Sequence, residues 1–459
     1  MSAGWSETPD RDKIRTLSKL LLSAFLLVAV ALIFWGVLRA ASILARDDNP
    51  RLAEAELRIQ RGSIVDRNAK VLAENRGTPE RQVRSYPSAN VGPAVGYYSF
   101  IHGTAGAEGG FDALLRGEPT AFWPAYVEQT LHLSQAGHDV QLALDVDLQE
   151  TAVSLLGDQQ GAVLLLEMPQ DGSDRAWIRV MASHPGYDPN LLDEQFDELG
   201  ADERAPLLNR VAQGQYQPGL LLQPLILAKS VEQGLIQLDD PVVDADRAVS
   251  VNGTVTRCAS QPREQATWAD VLRHRCPGPM QTLADQLGVG GLDEAFAAFG
   301  LDRDPLLEID ATTAPDDPLG DPLQAGIGQD NLSITPLKIG LAMASLAGNG
   351  RQPQPQVAEA VQDEEGNWQA WSLESDIGRA TTAGAARAIR RALPQADGIY
   401  EFSPLVISGP GGSTNAWYVG IGKGETADYV VVVVLEGSDQ EALAQDVGRG
   451  TISLVEKFS

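Results

Sequence analysis

Leu220 and Gln223 stand three residues apart in the run Tyr216, Gln217, Pro218, Gly219, Leu220, Leu221, Leu222, Gln223, Pro224. A hydroxyl at the first place and an amine three residues on, one helical turn later, would make a nucleophile and its base for acyl transfer. An alkyl side chain is no nucleophile, and a neutral amide takes no proton near neutral pH. Nor does such a pair lie elsewhere. The seven lysines, at 13, 19, 70, 229, 338, 423 and 457, are preceded at three positions by Asp10, Thr16, Arg67, Ile226, Thr335, Gly420 and Leu454, so no serine has that spacing.

Other reactive types are sparse. Ser413 and Thr414 follow Gly411 and Gly412, but no histidine or lysine is near them in sequence, and turn hydroxyls are common. The five histidines, at 102, 132, 138, 184 and 274, lack metal-ligand spacing, and the two cysteines, Cys258 and Cys276, are too few for zinc. The expectation is no metal and no cofactor. The cysteines, 18 apart, either form a disulfide in an oxidising compartment or stay as buried thiols. A net charge of −27 argues against nucleic acid and against docking on anionic lipid.

The elements that must position these residues begin with a charge-free stretch from Leu20 to Leu38. Nineteen residues at helical rise reach roughly 28 Å, about one hydrocarbon core, so the expectation is an uncleaved, single-pass anchor through the lipid bilayer. Arg11, Lys13, Arg15 and Lys19 precede it, while Arg39, Arg46 and Arg51 follow it, a slight positive-inside bias. Apolar alternation around Asn68 predicts a hairpin, and 161–167 and 177–182 read as strands flanking the turn-rich 169–173. Thr335 and Pro336 suit a helix cap and first turn, with the helix ending near Asn349 and Gly350. Residues 416–420 and 429–435 are buried-strand candidates, and 442–457 a closing helix.

The wording around Leu220 resembles the penicillin-binding transpeptidases, whose stretch is Tyr-x-Pro-Gly-Ser-x-x-Lys-Pro. Further ordered motifs resemble class B penicillin-binding proteins: Arg61, Gly62, Ile64, Asp66, Arg67, Leu72 and Ala73, with Ala69 in place of a glycine; the glycine-rich 103–110; and Leu142, Leu144, Asp145, Leu148 and Gln149. The resemblance implies an α/β (α+β), serine β-lactamase-like transpeptidase domain with an antiparallel sheet and helices, behind a transmembrane helix and an extended β-rich pedestal. The expected organisation is a cytoplasmic tail 1–19, an anchor 20–38, a pedestal 39–135 and a transpeptidase-like domain 136–459.

On that resemblance three motifs are degenerate. Leu220 and Gln223 replace serine and lysine; Arg275, Cys276 and Pro277 stand at Ser-x-Asn; and Gly409, Pro410 and Gly411 stand at Lys-Thr-Gly. Losing only the nucleophile of a serine hydrolase costs on the order of 10⁶ in turnover. The implied function is a catalytically silent binding or scaffold partner in cell-wall assembly, paired with a polytopic glycan polymerase. The alternatives are an active D,D-transpeptidase with a relocated nucleophile, or a sensor binding peptidoglycan or muropeptides through Arg275. For Arg275 the plain reading is a surface arginine in the basic run Arg273, His274, Arg275; for the three leucines 220–222 it is core filling.

Overall fold

A computed structural model describes residues 11–35, 39, 59–78, 81–118, 136–312, 318–373, 378–408 and 412–458. Residues 60–78 and 82–459 form one compact unit, and the N-terminal helix belongs to another. That helix, α1 (Arg11–Ile33), carries an apolar stretch of 21 residues, Lys13–Ile33, with mean hydropathy 2.3. It is long and apolar enough to cross a membrane. It starts before Leu20 because the basic residues Lys13, Arg15 and Lys19 are good helix formers; residues 36–38 lie outside the described residues.

The compact unit has two principal sheets. In the smaller, β1 (Ile64–Val65), β2 (Val71–Thr78) and β3 (Arg81–Ser85) come early in the chain, followed by β4 (Val140–Leu142). The expected hairpin is present: β1 and β2 pair antiparallel around a turn in which Ala69 takes a φ of 60°. A side chain there costs about 1 kcal/mol relative to glycine, the physical content of the departure at this position. Beside the hairpin, buried Glu108 accepts from Arg61 Nε at 2.7 Å and Arg84 Nε at 2.6 Å. Arg61 in turn bonds Asp112.

The larger sheet has eight strands. Those before the nucleophile run are β5 (Gly161–Pro169) and β6 (Arg175–His184); β7 (Gln354–Gln356) is an edge. Two strands of the same late region, β8 (Ala358–Gln362) and β9 (Trp368–Ala370), instead extend the smaller sheet, giving the order β9-β8-β4-β1-β2-β3. The rest are β10 (Gln395–Ala396), β11 (Ile399–Phe402), β12 (Leu405–Ile407), β13 (Thr414–Lys423) and β14 (Ala427–Leu435). The order is β7-β6-β5-β14-β13-β11-β10, with β12 also paired to β13. The expected antiparallel sheet holds throughout its centre, while β7 joins β6 in parallel at the edge.

The continuous apolar runs of β5 and β14 follow from burial on both faces. Leu164, Leu166, Val432 and Val434 face one core, shared with α3 (Gln223–Glu232) and α6 (Pro336–Ala347). Val163, Leu165, Val431 and Val433 face another, shared with α2 (Val146–Leu156) and α8 (Glu441–Phe458). The resulting three layers, helices on both faces of a sheet, hold the candidate site at one end. Thr335 caps α6 through its hydroxyl, accepting from Lys338 N, as its sequence position predicts.

Candidate functional site

The frame around Leu220 is built as its sequence requires. Tyr216 N–H donates to Ile334 O at 3.1 Å and Ile334 N–H returns the bond at 2.8 Å. The Tyr216 hydroxyl donates to Glu436 at 2.6 Å; burial, then the Glu436 charge, raise its pKa far above the ordinary value, so it stays protonated. Gly219 N–H donates to Gly328 O at 2.8 Å, and the two glycines have φ of 53° and 65°. A Cβ on Gly328 would lie 1.9 Å from Gly219 O, and one on Gly219 would lie 2.6 Å from Val406. Only glycine fits both positions.

Within this frame the two positions that the resemblance sets at the serine and the lysine are packed. Leu220, on the 3-10 turn Gly219–Leu222, is partly buried against the core, and Leu221 and Leu222 are each 1% exposed. The core-filling reading therefore describes two leucines fully and Leu220 in part. Gln223 is fully buried at the head of α3, where Nε2 donates to Val271 O at 3.1 Å and Oε1 has no partner. The position that would hold a basic amine thus offers one carbonyl and no carboxylate bonded to it.

Val271 lies in α4 (Trp268–Arg273), a short helix closed by a capping box between Thr267 and Asp270. Burial opposes ionisation of Asp270, but the Thr267 backbone N–H, and then Arg263, bring its pKa below the ordinary carboxylate value. The next residues are those that the resemblance sets at the second motif. Arg275 takes a φ of 52°, Cys276 is the N-cap of α5 (Pro277–Ala298), and Pro277 is its first residue. Proline suits that place because its missing N–H would have no partner in a first turn.

Arg275 is neither a surface arginine nor an open one. Its side chain is 16% exposed, and Nη2 donates to Glu441 Oε1 at 2.9 Å. The same oxygen accepts from Ser403 Oγ at 2.9 Å and Gln445 Nε2 at 3.1 Å. The cation therefore ties the loop before α5 to the start of α8 and to the bend between β11 and β12, and it is charge-matched there. Cys258 and Cys276 are bonded to each other, and the bridge pins the same loop.

Gly409, Pro410 and Gly411 lie outside the described residues. The described strand that approaches the Leu220 turn is β12, with Leu405, Val406 and Ile407, and it presents no cation. Ser408 N–H donates to Ser413 O at 2.9 Å, and Thr414 Oγ1 donates to Ser438 O at 3.1 Å, so these hydroxyl residues close a hairpin. One pairing was not visible in the sequence: Ser260 Oγ lies 2.7 Å from His274 Nδ1. Ser260 is exposed, where water competes for the same nitrogen. Spacing gave no signal for it, because the two residues meet only through the loop that the disulfide closes. Among the described residues no group of three His, Cys, Asp or Glu side chains could hold a metal ion.

Comparison with known proteins agrees with this architecture. Residues 174–397 match the penicillin binding protein transpeptidase domain. The chain is 24% identical over 464 residues to the peptidoglycan D,D-transpeptidase PbpA of Mycolicibacterium smegmatis, covering 91% of this chain and 93% of that relative. It is 26% identical over 249 residues to the peptidoglycan D,D-transpeptidase MrdA of Haemophilus influenzae, a match to 50% of this chain but 37% of that relative. The structure of penicillin-binding protein A from M. tuberculosis as an imipenem acyl-enzyme complex superposes with a TM-score of 0.76 at 21% identity, covering 88% of this chain and all of that one. With the frame, the three layers and the ordered motifs in place, residues 174–397 belong to the penicillin-binding protein transpeptidase domain family, in the fold of its solved members.

Proposed function

We propose that this chain is a catalytically silent member of its family, acting in peptidoglycan assembly by binding and placement. The observation that carries the reading is the pair Leu220 and Gln223, a side chain that cannot attack and an amide that cannot take a proton, inside a frame whose glycines and hydrogen bonds are kept. The Arg275–Glu441 pair and the disulfide support it, since both stabilise a fixed loop where the family moves protons.

The N-terminal apolar helix supports a single-pass anchor with the bulk of the chain outside the plasma membrane, the compartment in which a disulfide persists. The partner we propose, by resemblance, is a polytopic glycan polymerase engaged through the anchor and the smaller sheet. Loss of copurification of any such polymerase under gentle detergent would remove that part of the proposal.

The test of silence is covalent labelling of the purified chain with a fluorescent penicillin, read by intact mass beside an acylating family member. No adduct is expected. A stoichiometric adduct would overturn the reading, and Ser260, the hydroxyl paired with an imidazole, is the first residue to map.

A further inference from the structure

We propose a binding site for a phosphoryl group in the cavity at the end of the large sheet remote from Leu220, with Arg390 as its floor. The cavity has a volume of about 450 Å³ and lies between the β5–β6 turn, the end of α6 and the β13–β14 turn. Asp428 is the second residue of β14 and Leu435 its last. At about 3.3 Å per residue this separates the cavity from the candidate site by roughly 23 Å.

Four cations line it, Arg175, Arg351, Arg390 and Lys423, against two carboxylates, Asp174 and Asp428. That balance is the reverse of the whole chain, which carries a net charge of −27. Arg351 pairs with Asp174, and Lys423 lies 3.9 Å from Asp428, both as half-exposed rim residues. Arg175 reaches Asp171 at 3.5 Å.

Arg390 differs from the rim. It is 8% exposed and sits on α7 (Ala383–Ala392), and among the described residues it has no carboxylate within ion-pair distance. Nη1 donates to Leu346 O at 3.3 Å and to Ala347 O, capping the C-terminus of α6. Nε is buried with no acceptor. The helix end supplies roughly half a negative charge, which leaves the guanidinium under-compensated, and a buried cation in that state calls for a counter-anion. The Nε–Nη2 edge is the side that matches two oxygens of one oxyanion. With Asp171 on Arg175, each rim cation has a carboxylate and Arg390 supplies the one positive charge in excess; a phosphoryl group, with three acceptor oxygens for the Arg390 edge and the rim donors together, uses this arrangement better than a carboxylate.

The experiment is calorimetric titration of the full chain in detergent with inorganic phosphate, pyrophosphate and glucose 1-phosphate, with acetate as the monoanionic control. Saturable binding of a phosphate-bearing probe is expected, weakened about tenfold by Lys423→Ala or Arg351→Ala, each of which removes one charge-assisted contact at the rim. Arg390→Lys, which keeps a cation at the end of α6 but loses the fork, is expected to weaken it at least as much. Tighter binding of the sugar phosphate than of free phosphate identifies an ester as the ligand; the reverse identifies the free ion. No saturable binding at about 10 mM probe, acetate binding as tightly as phosphate, or affinity unchanged by both Lys423→Ala and Arg390→Lys would overturn the proposal.

Discussion

Replacing Gln223 by lysine installs the residue type that the resemblance would set there as a base, and the structure predicts that the protein will not tolerate it. Gln223 is fully buried, and its Nε2 meets only Val271 O. A lysine here would carry its ammonium into a place with one acceptor and no bonded carboxylate. Burial of this kind lowers a lysine pKa by about 3–5 units. At pH 7 the folded protein then holds the amine neutral while the unfolded chain binds a proton up to a pKa of about 10.4. Roughly 3.4 units at 1.36 kcal/mol each put the cost near 4–5 kcal/mol. The sign follows from proton binding: the unfolded state holds more protons between the lowered folded pKa and about pH 10.4, so the stability of Gln223→Lys rises with pH across that window. Gln223→Met, which also removes the unpartnered Oε1, should stay within about 1.5 kcal/mol of the parent. The assay is urea denaturation of both variants and the parent at several pH values from 6.5 to 9.5, with denaturation midpoints compared. A lysine variant as stable as the parent at pH 7, or one without a pH slope, would show that the frame still supplies a partner for an ammonium. The inference of a filled site would then fail.

Other outcomes follow from the same structure. Replacing Cys258 and Cys276 together by serine, or reducing the native bond, should cost about 3 kcal/mol, since the bridge closes a short loop, 18 residues in sequence; reductant should leave the serine variant unchanged. Glu108→Gln leaves two buried guanidinium groups facing a neutral amide, and denaturation should show a loss of about 3–5 kcal/mol. Asp270 has a lowered folded pKa, so its contribution is present above the ordinary carboxylate value and is lost as pH falls through the lower folded one; in Asp270→Asn that part of the acid transition should disappear, along with about 1–2 kcal/mol of capping. Ala69→Gly should raise stability by up to about 1 kcal/mol by relieving a left-handed backbone, and an unchanged or lower melting temperature would refute that account.

What the chain determined by itself was of two kinds. One was local pattern: the apolar run of α1, the cap at Thr335, and the buried runs of β5 and β14, each set by residues within a few positions of one another. The other was the absence of groups. No arrangement of the chain can give Leu220 a hydroxyl or Gln223 an amine, so the missing Ser-x-x-Lys pair was legible before any fold was known.

The tertiary structure decided pairings across long stretches of chain. Arg275 meets Glu441, 166 residues away, and is thereby a tie instead of an exposed cation. Gln223 finds Val271, 48 residues on. Ser260 meets His274, and the two cysteines join, where spacing left both outcomes open. The strands Ala358–Gln362 and Trp368–Ala370 leave the large sheet to complete the smaller one beside Val140–Leu142. Burial of Arg390 with no carboxylate beside it among the described residues likewise depends on α6 ending beside α7. Sequence periodicity carries which face of an element is apolar. Which distant side chain that face then meets depends on topology and on the packing of the whole core, and those are properties of the folded chain alone.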